Sequence, residues 1–338
     1  MKVLIIANAR YKGGLSGSDA IYENFRKYWP CETAVSEFID LDYKPFTICY
    51  FDRIVRGCFR ALFDTRDFDI VYSASDFLPD VIPAIIYKVI KRKKWTAGYY
   101  LNAFRENSVH FYTQKMVKWL INKLADMVIV TNKTMMDIFP DKKKTWINGG
   151  IEYSLSIGDN KHKYYDVVFC GRIHSSKGVD GMINIWKLVR DKKPTASLAI
   201  IGDGDLGKDY IKKSLGMCNG VTYLGYMGKE RYKIFKQSKI VIYPTPLKYD
   251  HFSMAPVEAM SCGCPCVSFD TPTIAAMDPK GWVWVATIQD FANVIVEFIN
   301  NDDLRIKAGE QARQWARQFE YKDQVTRVFN NIKQELFI

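Results

Sequence analysis

The sequence predicts an α/β protein of two domains, each a parallel sheet wrapped by crossover helices. Three observations predict it. The chain has 338 residues, which suits two domains of ordinary size. Short apolar runs fit for buried strands alternate with amphipathic segments, the pattern of strand–helix–strand units. That alternation halts at a polar, glycine-containing stretch near residue 150 and then starts again.

Taken in order, residues 3–7 read as the first strand and residues 18–28 as a helix, with Ser16 or Ser18 as its N-cap. Residues 70–73 form a second short strand, followed by a helix over about 79–90. Residues 96–101 read as strand, 114–124 as a basic amphipathic helix and 127–130 as strand. Asn148, Gly149 and Gly150 then lead into residues 154–163, rich in Ser, Gly, Asp, Asn and Lys, which read as a hinge. Beyond it come strands at 165–170, 197–201, 221–223, 240–243 and 266–269, with helices at 182–189, 231–237 and from 256. Residues 288–335 look almost wholly helical. The predicted organisation is an N-terminal Rossmann-like domain at 1–152, a hinge at 153–163, a C-terminal Rossmann-like domain at 164–320 and a terminal helix at 321–338 packing back on the N-terminal domain. No internal repeat at a fixed period and no low-complexity tract is visible.

Composition narrows the function classes. Hydrophobic residues make up 48% and charged residues 25%, enough apolar material for two cores, so disorder is not expected. The formal net charge is +11, of which residues 1–150 carry +7 and the remainder +4. Such a balance favours anionic partners: nucleotides, nucleic acids or acidic lipid surfaces. Eight cysteines in a chain this long do not make a secreted disulfide scaffold, and reduced thiols of a cytosolic protein are expected. No run approaches the roughly 20 apolar residues that span a bilayer, and residues 3–7 are too short for a signal core. The expectation is a soluble cytoplasmic protein, or one resting on a membrane surface.

Ligands of open parallel sheets bind beyond the carboxyl ends of the strands, and two facing sheets would line one cleft between the domains. Three segments at predicted strand ends carry chemistry. In the first, strand 165–170 runs into Gly171 and Arg172, then Lys177 and Gly178. A guanidinium fork and an ammonium at the start of a helix can hold a diphosphate, and a solvated basic turn is the equal alternative. In the second, residues 200–204 end a strand in Gly202, Asp203 and Gly204; the glycines explain the turn without a metal. The third opens with Asp250, passes His251, Phe252, Ser253 and Met254, and reaches Glu258 one turn into a helix begun at Pro256. Its loop amides can meet phosphate or sugar hydroxyls. Glu258 could accept two hydrogen bonds from a ribose diol or simply complement the helix dipole.

In this order, with Gly225, Pro244, Thr245 and Gly263-Cys264-Pro265, the motifs resemble the retaining GT-B glycosyltransferases of family 4. The resemblance is close over about residues 165–272. It extends more loosely to Gly13 and Gly14, to residues 148–152 and to the helical C-terminus. It implies the GT-B fold and a nucleotide diphosphate-sugar donor of UDP or GDP type. The sugar would pass to a carbohydrate or lipid-linked acceptor with retained configuration, and with no metal and no cofactor. Arg172 and Lys177 would hold the diphosphate, with Gly171 and Gly202 beside them. Glu258 would hold the ribose, and Tyr226 and Met227 would lie against the base. Asp250 would face the sugar hydroxyls, and the amides of Phe252, Ser253 and Met254 would sit near sugar and phosphate. Gly13 and Gly14 would let the first loop approach the phosphates. Asn102 stands where the family often has a histidine, with His110 an outside candidate. The first motif acid is Asp rather than Glu, and His251 and Ser253 stand where the family often has glycines.

Weaker signals remain. Cys262, Cys264 and Cys266 alternate at a strand entrance, which is more often packing than metal binding. Lys88, Lys91, Arg92, Lys93 and Lys94 beside Trp95 make one basic cluster. His110, Phe111 and Tyr112 with Lys115, Lys118, Trp119 and Lys123 make another. Basic residues mixed with aromatic ones can rest on an anionic membrane at its inner face, and a solvated helix face is an equal reading. No nucleic-acid recognition motif is present. Two alternatives to transfer stay open: a GT-B nucleotide-sugar epimerase or hydrolase using first-domain acids such as Asp76 or Glu106, and a non-catalytic two-domain binding protein.

Overall fold

The computed structural model describes residues 1–9, 17–38, 46–100, 109–131, 133–158, 162–215, 220–249 and 253–338. The chain divides into two units, Met1–Gly150 with Tyr321–Ile338, and Ile151–Glu320. The first unit runs through β1 (Lys2–Ile6), α1 (Gly17–Tyr28), β2 (Glu32–Ser36), α2 (Phe46–Phe63), β3 (Ile70–Ser73) and α3 (Leu78–Val89). It continues with β4 (Lys94–Tyr99), α4 (Val109–Leu124), β5 (Met127–Val130) and β6 (Lys143–Trp146). The second unit runs through α5 (Tyr153–Ser156), β7 (Tyr165–Cys170), α6 (Val179–Lys192), β8 (Leu198–Ile201), α7 (Gly207–Leu215) and β9 (Val221–Gly225). Then come α8 (Arg231–Lys236), β10 (Ser238–Tyr243), α9 (Met254–Ser261), β11 (Cys266–Phe269), α10 (Pro272–Ala275), β12 (Trp282–Val285), α11 (Ile288–Asn300) and α12 (Asp302–Ala316). The last helix, α13 (Tyr321–Phe337), belongs to the first unit.

Among the described residues each sheet has six strands, all parallel. The orders are β2-β1-β3-β4-β5-β6 and β12-β11-β10-β7-β8-β9. Strand alternation sends successive side chains to opposite faces. In β1, Val3 and Ile5 pack with Phe25 of α1 and Val325, Val328 and Ile332 of α13. Leu4 and Ile6 pack on the other face with Ala61 of α2, Val81 and Ala84 of α3 and Val117 and Ile121 of α4. The second sheet is covered in the same way. Val167, Leu198, Ile240 and Val267 meet α6 and α11, while Val168, Ala199, Val241 and Cys266 meet α8, α9 and α12.

Several elements differ from the sequence expectations. The strands β2, β6 and β12 and the helix α2 occupy segments to which the sequence assigned nothing. Helix α9 begins at Met254, with Ser253 at its N-cap, so Pro256 is its third residue rather than its first. The segment expected as a hinge opens with α5. Ile151 is already tied into the second unit, its N–H donating to the Phe319 carbonyl at 2.8 Å.

Candidate functional site

The strand order of an open parallel sheet reverses at one point, and the loops on either side of that point frame a crevice. In the second unit the reversal lies between β7 and β10, so the loops that matter follow those two strands. The first holds Gly171, Arg172, Lys177 and Gly178. His174 shapes it: its Nδ1 accepts from the Ser176 N–H at 3.0 Å, within the single 3-10 turn Ser175–Lys177. Gly178, at φ 75°, then turns the chain into α6.

Glycine is required at this crowding. A Cβ on Gly178 would lie 2.0 Å from the carbonyl oxygen of Pro244, just beyond β10. A Cβ on Gly202, at φ 138°, would lie 1.8 Å from the carbonyl oxygen of Gly171. The backbones after β7, β8 and β10 therefore touch with no side chain between them. Main-chain bonds lock the arrangement, from Gly171 N to Ile201 O at 3.0 Å and from Ile173 N to Asp203 O at 3.0 Å. The Asp203 carboxylate accepts from the Gly204 N–H at 2.8 Å, a turn contact.

Two cations ride on this platform. Arg172 is exposed, and its Cγ passes beside Gly204. Lys177 is half-buried. Burial, and then the neighbouring Arg172 guanidinium, pull the Lys177 ammonium down to about 8. Beside Gly178 sits Thr245, buried, whose Oγ1 has no hydrogen-bond partner among the described residues. A buried hydroxyl without a partner is uncommon, and this one could donate to a ligand oxygen. The chain beyond β10 leads to the N-terminus of α9. Ser253 takes the N-cap position without a side-chain cap, which leaves the first-turn amides of Met254 and Ala255 uncovered by it.

Glu258, 6% exposed, meets a residue that sequence reasoning did not single out. Arg231, the first residue of α8, donates to it twice, from Nε at 2.6 Å and from Nη2 at 2.7 Å. Its Nη1 donates to the Gly228 carbonyl at 2.8 Å. One guanidinium therefore ties the loop carrying Tyr226 and Met227 to the Glu258 carboxylate. Burial pushes the Glu258 carboxyl up, against the pull of Arg231, and that pairing raises Arg231. Each carboxylate oxygen keeps a second lone pair for another donor. Tyr226 stands 73% exposed on its loop, and Met227 packs against the core. Cys170, at the end of β7, is pushed by burial and then by Glu258 up to about 12, so it stays a thiol.

The structure brings together Gly171, Arg172, Lys177, Gly202 and Thr245 around the β7–β10 crevice, and Tyr226, Met227, Arg231 and Glu258 around the adjoining loop and helix. Ser253 and Met254 stand at the N-terminus of α9. Gly13, Gly14, Asn102, Glu106, Asp250, His251 and Phe252 lie outside the described residues, as does the side chain of His110. Asp76 is buried and accepts from Gln114 Nε2 at 2.6 Å. Cys262, Cys264 and Cys266 are buried in the second unit's core, the Cys264 thiol donating to the Phe235 carbonyl at 3.2 Å. Among the described residues no group of three His, Cys, Asp or Glu side chains is placed to hold a metal.

The model of the glycosyl transferases group 1 family matches residues 155–315, nearly all of the second unit. An uncharacterized glycosyltransferase of Methanocaldococcus jannaschii is 25% identical over 256 residues, 65% of this chain and 61% of that protein. Among solved structures, Anabaena HepE in complex with UDP superposes with a TM-score of 0.73 at 17% identity, covering 99% of this chain and 100% of HepE. S. aureus TarM, bound to UDP, fondaparinux and alpha-GlcNAc-glycerol, gives a TM-score of 0.61 at 21% identity, covering 78% of this chain and 55% of TarM. The chain thus spans little more than half the length of two of these three proteins. The second unit thus matches the glycosyl transferases group 1 family model, and both units share the GT-B fold seen in HepE.

Proposed function

We propose that this protein transfers a sugar from a nucleoside diphosphate-sugar, of UDP or GDP type, to a hydroxyl of a carbohydrate or lipid-linked acceptor, with retention of configuration and without a metal ion. The observation that carries the reading is the pair Arg172 and Lys177. They are two neighbouring cations on a glycine-only platform at the strand-order reversal, one of them depressed to about 8. A diphosphate would meet both and hold Lys177 in its charged form to higher pH.

In this reading Arg172, Lys177 and the α9 amides take up the charge that develops on the diphosphate as the bond from its oxygen to the anomeric carbon breaks. The acceptor oxygen forms its new bond on the same face of an oxocarbenium-like centre, and its proton passes to the departing phosphate. Thr245 Oγ1 offers a further donor to a phosphate or sugar oxygen. Glu258, held by Arg231, binds the ribose diol, and Tyr226 and Met227 cover the base. Gly13, Gly14, Asn102, Asp250, His251 and Phe252 complete the donor site by family resemblance. HepE and TarM, both solved with UDP, support a uridine donor, and TarM's carbohydrate ligands support a glycan acceptor. The reading places the enzyme in the cytoplasm, with an anionic membrane at its inner face as partner of the basic first unit. No helix among the described residues is long and apolar enough to cross a membrane.

The test is thermal stabilisation by UDP, GDP, ADP and their sugar conjugates. A ligand at about a hundred times its dissociation constant adds roughly 2.7 kcal/mol. One diphosphate should stabilise the protein selectively, and Arg172→Ala and Lys177→Ala should each abolish the effect. No response to any nucleotide would defeat the assignment.

A further inference from the structure

Helix α2 carries a second apolar face, on its outward side. It is eighteen residues long, and its buried side carries Cys49, Arg53, Gly57 and Ala61. The wholly buried Arg53 donates to the Asn8 carbonyl at 3.0 Å. Its outward side carries Ile48, Phe51, Val55, Phe59 and Leu62, spaced by three or four residues, and then Phe63. Phe51 is 64% exposed and Phe63 75%, and Phe59 stacks on Phe63 with ring centres 6.3 Å apart. A solvated helix has no need of exposed phenylalanines in a row.

Charge on this side of the sheet is one-sided. Residues 46–63, 78–94 and 109–124, which make up α2, α3 and α4 with the turn after α3, hold eleven Lys and Arg against two Asp. Helices α1 and α13, on the opposite side, hold five against four. Arg92, Lys94, Lys115, Lys118 and Lys123 are exposed and have no ion-pair partner among the described residues. A second copy meeting this face about a twofold axis would set like charges against like. An anionic lipid surface satisfies both features at once.

We propose that this face docks on an anionic bilayer. The α2 phenylalanines enter the boundary between headgroups and acyl chains, while the basic side chains of α4 and of the turn after α3 meet lipid phosphates. This deepens the membrane partner named above and is independent of the donor site. The two fail separately, because nucleotide binding should be untouched by every variant below.

The full-length protein is sedimented with vesicles of phosphatidylcholine alone and of phosphatidylcholine mixed with phosphatidylglycerol, beside Phe59→Ser/Phe63→Ser and Lys115→Glu/Lys118→Glu. The unaltered protein should pellet with the mixed vesicles and stay in solution with the neutral ones. Each double variant should bind about tenfold more weakly or worse, with unchanged melting and unchanged stabilisation by nucleotide. Two results would overturn the proposal: an unaltered protein that ignores anionic vesicles, or a phenylalanine variant that binds them as well as the parent. A concentration-dependent dimer that the phenylalanine changes dissolve, without vesicle binding, would give the face to a second copy and overturn it equally.

Discussion

The two sheets share an architecture and treat the point of strand reversal in opposite ways. In the first unit the reversal lies between β1 and β3, and the described polar groups there satisfy one another. Asn8 Nδ2 donates to the Pro79 carbonyl at 3.0 Å, and the Asn8 side-chain oxygen accepts from Ser36 Oγ at 3.0 Å. The Asp80 carboxylate accepts from the Ala9 N–H at 2.8 Å and from the Ser75 hydroxyl. In the second unit the reversal holds two cations, a buried hydroxyl with no described partner and the uncapped start of a helix. One crevice is closed by its own hydrogen bonds, while the other gathers two cations beside a buried hydroxyl that has no partner among the described residues. Concentrated charge of one sign at a strand-order reversal is a better guide to a ligand than a tally of polar residues.

The largest effect should come from breaking the cationic crevice. Lys177→Ala should cost about 10²–10³ in turnover without lowering the melting temperature, because it removes a half-buried ammonium that burial disfavours. The sign for pH follows. A bound diphosphate prefers the charged amine, which in the free protein titrates at about 8. Nucleotide affinity should therefore hold below that pH and fall above it, by at most about tenfold per pH unit, and the fall should vanish in the variant. A pH-independent affinity in the parent would separate Lys177 from the phosphate.

A smaller effect sharpens the comparison. Arg231→Gln should raise the donor KM about tenfold with little change in kcat, because it leaves Glu258 buried without its partner. A normal KM would free Glu258 from the nucleotide. The smallest functional effect belongs to the closed crevice. Asn8→Ala should destabilise the protein by about 1–3 kcal/mol and leave nucleotide affinity unchanged; a weakened affinity would show the two crevices to be coupled.

What the sequence made legible follows the same physics. Central strands such as β1, β5, β7 and β8 are buried on both faces and read as continuous apolar runs. The strands that escaped, β2, β6 and β12, are all sheet edges. Glu32–Ser36 and Lys143–Trp146 carry polar residues because one side stays in water, whereas Trp282–Val285 is wholly apolar and escaped through its shortness alone. Helix α2 escaped because Phe51, Val55, Phe59 and Phe63 face outward beside Arg56 and Arg60 while Arg53 faces inward, so burial and polarity disagree along it. At the site, Arg172, Lys177 and Glu258 were visible because they follow strands or open helices in a known order. Arg231 was invisible because its partner lies 27 residues away on another helix. Thr245 looked like any loop threonine, since only burial reveals that its hydroxyl has no described partner.

The return of α13 to the first unit bears on how the protein is made. Val325, Val328 and Ile332 are part of that unit's core, so the half begun first on the ribosome lacks part of its interior until residues 321–337 have emerged. The second unit, Ile151–Glu320, is one unbroken segment whose two ends are bonded to each other at Ile151 and Phe319. Its contacts are therefore all available before the last helix of the earlier half has emerged.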